Sequence, residues 1–469
     1  MKTPLFRFLF RGYAEDQCPQ SITIDLSELS KYQQFCRHLA GRSQSPYLIE
    51  YSLATPQTVI VYQCEWPTEK QTGPMLPAAS AVTKRIIRLK KTSGLSLLNK
   101  RLLLQSVVLF SGLEHLQETE KSLRELRLIG QLARYLVLLA EGCGGENPVA
   151  EAIANRMAEA LNIPSSFTSE ERVGTKRFWC ALSGREAATP KSNRPARSLA
   201  LITVYNEVDM IEETLFHILD QGMDALTVDD CSTDGTDQVL ERLSATKRVT
   251  WNKSPPEEAT VYDIDAIMAQ KERAALQAFA KGYQWVMSAD ADEIRCSPWP
   301  GVSLAEAFAH VEALGYNAVE FAVLDFRFLR DQQPDPDTYE KKMLYFEFGR
   351  RPSHFVQVKA WKQDPSVKVD LVTFVGHQVL FEGRRVFPLK FLLKHYPLRS
   401  REQAANKLYR DRFPRFKKEN LARGFHTQYN HFKEKEPEGW LAEDLLPWDD
   451  SFYSRYMIER LSGVGLRSY

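Results

Sequence analysis

Long apolar runs are what this chain has least of. No window reaches the roughly 20 uninterrupted apolar residues that a bilayer-spanning helix needs, so no membrane-spanning helix is predicted, while peripheral membrane contact stays open. The richest stretch, Leu102 to Leu116, is broken by Gln105, Ser111, Glu114 and His115 and predicts a buried helix instead. Paired cysteines are also missing. The seven cysteines, Cys18, Cys36, Cys64, Cys143, Cys180, Cys231 and Cys296, show no CxxC spacing, which argues against a zinc site and a disulfide framework. An odd thiol count fits a reducing cytoplasm. The stretch Met1 to Phe10 is interrupted by Arg7, with Arg11 following, so it lacks the continuous core of a secretory leader. Internal repeats and low-complexity tracts are absent too. Charge of one sign is scarce overall, with a formal net charge of +1. A local basic surplus between Lys390 and Arg423 suits either an anion such as a diphosphate, a lipid headgroup or a nucleic acid, or a solvated helix face.

What is present is the composition of a soluble globular protein, 43% hydrophobic and 26% charged. At 469 residues the chain predicts about two or three domains. Up to about residue 90, short β-type runs such as Ser21 to Leu26 and Thr58 to Tyr62 alternate with polar turns. From about Leu95 to Leu161 the spacing turns helical, with Leu123, Leu126, Ile129, Leu132, Leu136 and Leu139 recurring at three or four. Residues 1–182 are therefore expected to form an N-terminal α+β domain of unknown role. Residues 183–197, with Gly184, Pro190, Asn193 and Pro195, read as a linker.

Beyond the linker, strand and helix alternate. Strands are predicted at 199–204, 225–228, 249–251 and 285–288, with helices at 209–221, 236–243 and 266–281 between them. Such alternation predicts a mostly parallel sheet with helices on both faces, whose ligands bind beyond the carboxyl ends of the strands. The polar clusters fall there. The first strand ends in Tyr205-Asn206-Glu207, with Asp209 placed to cap the next helix. The second ends in Val228-Asp229-Asp230-Cys231-Ser232-Thr233-Asp234-Gly235-Thr236, an acidic exit, an Asp-Gly turn and a threonine able to cap a helix. The fourth runs into Ala289-Asp290-Ala291-Asp292-Glu293. Three carboxylates in four residues repel one another, so a cation or strong donors must compensate. Hard cations such as Mg²⁺ or Mn²⁺ take one or two carboxylates and fill their remaining positions with water and phosphate oxygens.

These three motifs, in this order on an alternating α/β scaffold, resemble the family 2 glycosyltransferases over about residues 198–300, and more weakly to about 400. Cys231 stands where a glycine or another small residue is usual, and Val208 where an acidic residue is frequent. The resemblance implies a GT-A fold, Rossmann-like with a mostly parallel sheet, for a catalytic domain at 198–400. A basic helical extension at 401–469 is expected to pack on it. It also implies transfer of a sugar from a nucleotide-diphosphate donor, UDP being the expected nucleotide, to a glycan or lipid-linked glycan acceptor, with inversion, in surface polysaccharide or glycan assembly on the cytoplasmic side. Tyr205, Asn206, Glu207, Asp229, Asp230 and Asp290 would then hold the donor, with Arg273 as a further contact. Asp290 and Asp292 would hold Mn²⁺ or Mg²⁺, with His377 first and His395 second as the histidine ligand. Arg399, Arg401, Lys407, Arg410 and Arg412 are candidates to assist the leaving group. The general base, which must sit near the sugar, is expected at Asp325, with Glu293 and Glu320 as rivals. The aromatics between Phe321 and Trp361 suit an acceptor groove, but core packing suits them better.

Other readings are a catalytically inactive GT-A-like binding module and a nucleotidyltransferase. The latter usually brings a Gly-rich basic loop that Tyr205-Asn206-Glu207 does not supply. A nucleic-acid binder lacks its motif here, and a glycoside hydrolase would not need the nucleotide-type loops.

Overall fold

The computed structural model describes residues 31–53, 58–65, 81–88, 103–113, 120–142, 148–173, 176–190, 194–255, 261–332, 339–349, 352–416, 432–433 and 436–462. The expected strand at Ser21 to Leu26 and the basic residues beyond Phe416 lie outside them. The chain divides into two compact units, Met1–Thr189 with Ser451–Tyr469, and Pro190–Asp450. The expected C-terminal extension is therefore split, residues 401–450 grouping with the second unit and the last stretch with the first.

The first unit is built from α1 (Lys31–Arg42), β1 (Tyr47–Ser52), β2 (Thr58–Glu65), β3 (Ala81–Arg88), β4 (Ser106–Ser111), α2 (Glu120–Leu132), β5 (Tyr135–Gly142), α3 (Pro148–Leu161), β6 (Thr168–Val173) and β7 (Lys176–Ser183). Its sheet runs β3-β2-β1-β4-β5-β7-β6, parallel only across β1, β4 and β5. Two expectations are corrected here. Within the apolar run Leu102 to Leu116, Ser106–Ser111 is a strand, β4, because a strand buried on both faces loses its alternation and resembles a buried helix. The leucine stripe likewise crosses from α2 into β5, which carries Leu136 and Leu139.

In the second unit, β8 (Ser198–Val204), α4 (Ile211–Asp220), β9 (Asp224–Asp229), α5 (Thr236–Ser244), β10 (Val249–Lys253), α6 (Ile264–Ala280) and β11 (Trp285–Asp290) follow the predicted alternation closely. The strands β10-β9-β8-β11 are all parallel. The sheet continues through β12 (Glu293–Cys296), α7 (Leu304–Ala313), β13 (Ala318–Arg327), β14 (Tyr345–Phe348), β15 (Val356–Lys362), β16 (Phe391–Leu398) and, after α8 (Arg401–Ala405), β17 (Leu446–Pro447). This half is mixed: β15 pairs antiparallel with both β11 and β13, and β16 lies parallel to β13 and antiparallel to β12. The fold is thus a mixed α/β sheet whose parallel half carries the nucleotide-type motifs.

Packing fixes where those motifs sit. Met268, Ala275 and Ala278 of α6 pack on Leu199 and Leu201 of β8, Val286 of β11, and Val358 and Trp361 of β15. On α7, Phe308 stacks on Trp285 at 4.9 Å between ring centroids and on Phe391 at 6.0 Å. Burying such aromatic and aliphatic side chains yields roughly 1.5–3 kcal/mol each, which holds the carboxyl ends of β8, β9 and β11 side by side.

Candidate active site

The turn after β8 is a hub of polar contacts. Asn206 adopts a left-handed φ of 51°, which asparagine tolerates better than most residues. Its backbone N–H donates to Ser232 Oγ at 2.9 Å, its Oδ1 accepts from the Thr233 N–H at 2.8 Å, and its Nδ2 donates to Asp411 Oδ1 at 2.8 Å. Glu207 is buried, with Oε2 at 2.5 Å from Arg399 Nη2 and Oε1 at 2.5 Å from Lys407 Nζ. The helix caps differ from expectation. Asp209 binds Arg399 at 2.7 Å, and Met210 occupies the α4 N-cap without a side-chain bond. Thr236 is the first residue of α5 rather than its cap; its hydroxyl donates to Asp234 and accepts from the Glu207 N–H.

In the second loop, Asp229 Oδ1 accepts from the Ser232 hydroxyl at 2.5 Å and from its N–H at 3.1 Å. Burial raises the Asp229 pKa, the Ser232 bonds oppose this, and the net shift is upward. Asp230 is paired with Arg415, whose guanidinium carbon lies 3.8 Å from the centroid of the Tyr205 ring.

The two aspartates after β11 differ. Asp290 has an ammonium on each oxygen, Lys271 at 3.5 Å from Oδ1 and Lys359 at 2.9 Å from Oδ2. Its side chain is nevertheless 47% exposed. Asp292 is buried, with Oδ2 at 2.8 Å from Lys407 and Oδ1 facing His395 Nε2 at 3.8 Å. Burial raises its pKa, but Lys407, His395 and Arg399 outweigh burial and hold it well below the usual carboxylate range.

His395 is the junction. Its Nδ1 lies 2.7 Å from Asp325 Oδ1, so it ties β16 to β13 as well as facing Asp292. Burial pulls the imidazole pKa down, but the carboxylates of Asp292 and Asp325 prevail and raise it. Asp325 Oδ2 is 3.5 Å from Arg327. Of the rivals for the base, Glu293 binds Lys359 at 3.0 Å, Arg295, and the Asp290 N–H at 3.0 Å, and Glu320 pairs with Lys390 at 2.6 Å. All three are buried and paired, and Asp325 differs in having the histidine as one of its partners.

Some sequence expectations place elsewhere. His377 sits by His354, with ring centroids 6.3 Å apart. Its Nδ1 is buried with no hydrogen-bond partner among the described residues, and burial with nearby Lys359 brings its pKa down to about 3. The histidine facing Asp292 is thus the second choice, His395. Arg273 is exposed on α6, because two residues along a helix turn a side chain about 200° away from Lys271, which does reach Asp290. Among the described residues no group of three or more His, Cys, Asp or Glu side chains is gathered for a metal. Lys271, Lys359, Asp411 and Arg415 were missed altogether. A lysine within the Met268–Ala275–Ala278 stripe, and another inside the apolar strand Val356–Trp361, were the signals available.

Residues 200–255, from β8 through the Asp229–Thr236 loop to β10, match the model of the family described as Glycosyl transferase family 2. This stretch of the second unit is family 2-like. That match spans the turn and the loop whose contacts gather Tyr205, Asn206, Glu207, Asp229 and Asp230, so the family 2-like segment and the polar hub coincide. No curated protein matches. Among solved structures, the chain is similar to S. aureus TarS 1-349, at 13% identity over 43% of this chain and 60% of that one, with a TM-score of 0.25. TarS 1-349 in complex with UDP-GlcNAc gives 14%, 42%, 58% and 0.23. A ketoreductase from the first module of phoslactomycin biosynthesis in Streptomyces sp. HK803 gives 16%, 45%, 51% and 0.15. The chain spans under two thirds of the length of each, and overlays this loose carry no residue correspondence.

Proposed function

We propose that the family 2-like unit is a glycosyltransferase moving a sugar from a nucleotide-diphosphate donor, a UDP-sugar, to a hydroxyl acceptor with inversion at the anomeric carbon. The observation that carries this reading is the chain of contacts Asp325–His395–Asp292, from near the carboxyl end of β13 through the middle of β16 to the turn after β11. It sets a carboxylate suited to take a proton a few ångströms from a carboxylate and an imidazole suited to hold a cation.

The metal implied by the family resemblance fits two donors of this chain. With Nδ1–H donating to Asp325, the His395 Nε2 lone pair is turned toward Asp292 Oδ1, the arrangement in which an outer carboxylate orients a metal-binding imidazole. Mn²⁺ or Mg²⁺ held by these two would complete its shell with water and diphosphate oxygens, displacing any proton on the ring. Asp290 does not fit as a ligand, since lysines take both its oxygens; its exposed edge suits a ribose hydroxyl. When bound, the cation supplies charge neutralisation to the departing diphosphate.

The remaining chemistry belongs to the side chains. Asp325 Oδ2 takes the proton of the acceptor hydroxyl as the hydroxyl oxygen attacks the anomeric carbon and the diphosphate leaves from the opposite side. Burial raises the Asp325 pKa, but Arg327 and His395 reverse this, so the base is ionised at neutral pH. Lys407, bound to Glu207 and Asp292 together, keeps Asp292 ionised and its Oδ1 directed at His395. Tyr205, Asn206, Asp229 and Asp230 line the nucleoside end. The setting we infer from the resemblance is glycan or surface polysaccharide assembly in the cytoplasm, peripheral at the inner face of the membrane, on a glycan or lipid-linked glycan.

Titration calorimetry of UDP with and without Mn²⁺ tests the donor site. Wild type is expected to bind UDP at least about tenfold more tightly with Mn²⁺, a difference of about 1.4 kcal/mol, and Asp292→Ala and His395→Ala are expected to lose that enhancement. Binding indifferent to Mn²⁺ rules out the cation site, and absence of UDP binding rules out the donor.

A further inference from the structure

The segment from Arg399 to Phe416 engages the donor-site residues one after another. Arg399 and Lys407 hold Glu207, and Lys407 also holds Asp292. Asp411 accepts from the Asn206 amide. Arg415 pairs with Asp230 and covers the Tyr205 ring at 3.8 Å. A separation of 3.8 Å is van der Waals contact, so nothing fits between the guanidinium and that face of the ring. The segment is pinned at its far end, where Arg415 O accepts from Tyr262 N–H at 2.8 Å and Phe416 bridges to Tyr262. Between these anchors the backbone is wound as a π-helix over Asn406–Arg412, a wide turn that is rare and concentrates at functional sites.

The polar groups of this arrangement are also incompletely satisfied. Arg415 Nε is buried with no hydrogen-bond partner among the described residues, and Asp229 Oδ2 is buried without one too, its nearest cation, Lys253, being 3.8 Å away. Each such group costs about 1–3 kcal/mol relative to a paired one. An unpaired donor on the arginine that holds Asp230 and an unpaired acceptor on the adjacent Asp229 suit an arrangement that opens to admit a ligand carrying both kinds of group, as a nucleobase edge does.

Resting on the donor-site reading above, we propose that Arg415 occupies the nucleobase position, its guanidinium stacked on Tyr205 and paired with Asp230, and that donor binding displaces it. The stretch beyond Lys407, through Asp411 to Arg415, is then a strap that keeps the nucleoside end closed until a nucleotide competes for Tyr205 and Asp230, while Lys407 stays on Glu207 and Asp292. Asp411 is its second fastening, through Asn206. The diphosphate end, at Asp292 and His395, lies outside the part that Arg415 covers.

Calorimetry with two probes, UDP and inorganic diphosphate, both with Mn²⁺, tests this on wild type, Arg415→Met and Asp411→Ala. Methionine keeps the bulk of the arginine stem but removes the charge and the stacking plane. The strap predicts that UDP binds each variant three- to tenfold more tightly than wild type, while the diphosphate affinity stays within twofold. Thermal melts of the ligand-free variants check folding. If Arg415→Met does not fold, Asp411→Ala decides, since its change is on a part-buried hydrogen bond. Weaker or unchanged UDP binding in the folded variants overturns the strap and makes Arg415 a base contact or a bystander, with the donor site standing. Failure of wild type and both variants to bind either probe removes the donor site itself, and the strap with it.

Discussion

Asp290 and Asp292 are two residues apart, yet their surroundings give them different work. Lys271 and Lys359 close both oxygens of Asp290, whereas Asp292 keeps one oxygen facing an imidazole. The lysines that make this difference are themselves buried, and a buried charge that loses its partner is costly. Lys359→Met, which leaves Asp290 to Lys271 and Glu293 to Arg295, is expected to lower the unfolding free energy by about 1.5–3 kcal/mol in urea titration. A loss below 1 kcal/mol there contradicts the ion-pair account. Cys231 carries a φ of 62°, which explains why a small residue is usual at this turn. Left-handed backbone costs an L-residue roughly 1–2 kcal/mol, and glycine returns about 0.5–1 kcal/mol of that as chain entropy. Cys231→Gly is therefore expected to stabilise by up to about 1 kcal/mol in the same titration, and a destabilisation shows that the Sγ contact to Ser254 O outweighs the strain.

At the scale of elements, the parallel half was legible because each strand there is a short apolar run bounded by turn residues, and each helix has its own apolar stripe. The β4 run and the Leu136–Leu139 pair were not legible as strands, since a doubly buried strand and a buried helix share the same composition over six residues. The acidic loops of the site could be read locally. Their cations could not, because Lys359 and Arg415 come from strands and turns far along the chain, and nothing in one sequence pairs them with Asp290 and Asp230. His395 ranked below His377 for the same reason: only the β13–β16 pairing, with Asp325 opposite His395, brings it beside the acidic residues. Two element-level predictions follow from geometry. The α7 capping box joins Ser303 and Glu306 reciprocally, so Ser303→Ala is expected to cost about 1 kcal/mol. Gly376 has a φ of 78°, and a Cβ there would meet Met268 Sδ at 2.6 Å, so Gly376→Ala is expected to cost more, with a clearly lower melting temperature. Equal melting temperatures for the two variants contradict that ordering.

For the whole molecule, the second unit joins a parallel half that carries the acidic loops to a mixed half that carries Asp325 and His395, and its stability carries a pH signature. Burial lowers the pKa of His310, which packs edge-on against Trp299 at 5.2 Å. Its folded pKa lies below the unfolded value of 6.5, so above that pH both states are neutral and nothing is lost. Below it the unfolded chain takes a proton that the native state refuses, and stability falls as pH falls. The stability of His310→Phe relative to wild type should therefore rise as pH drops from 7 to 5, by no more than about 1.4 kcal/mol per pH unit. A pH-independent difference removes the buried neutral histidine from the account.

The most direct test of glycosyl transfer is release of UDP from a panel of UDP-sugars with Mn²⁺, followed for wild type and for Asp325→Asn, a change that keeps the size of the side chain and removes its basicity. Wild type is expected to release UDP from at least one donor, and Asp325→Asn to lower turnover by about 10²–10⁴-fold while UDP affinity stays within a few-fold. Release that Asp325→Asn leaves unchanged contradicts Asp325 as the base, and a wild type that releases UDP from no donor contradicts the enzyme.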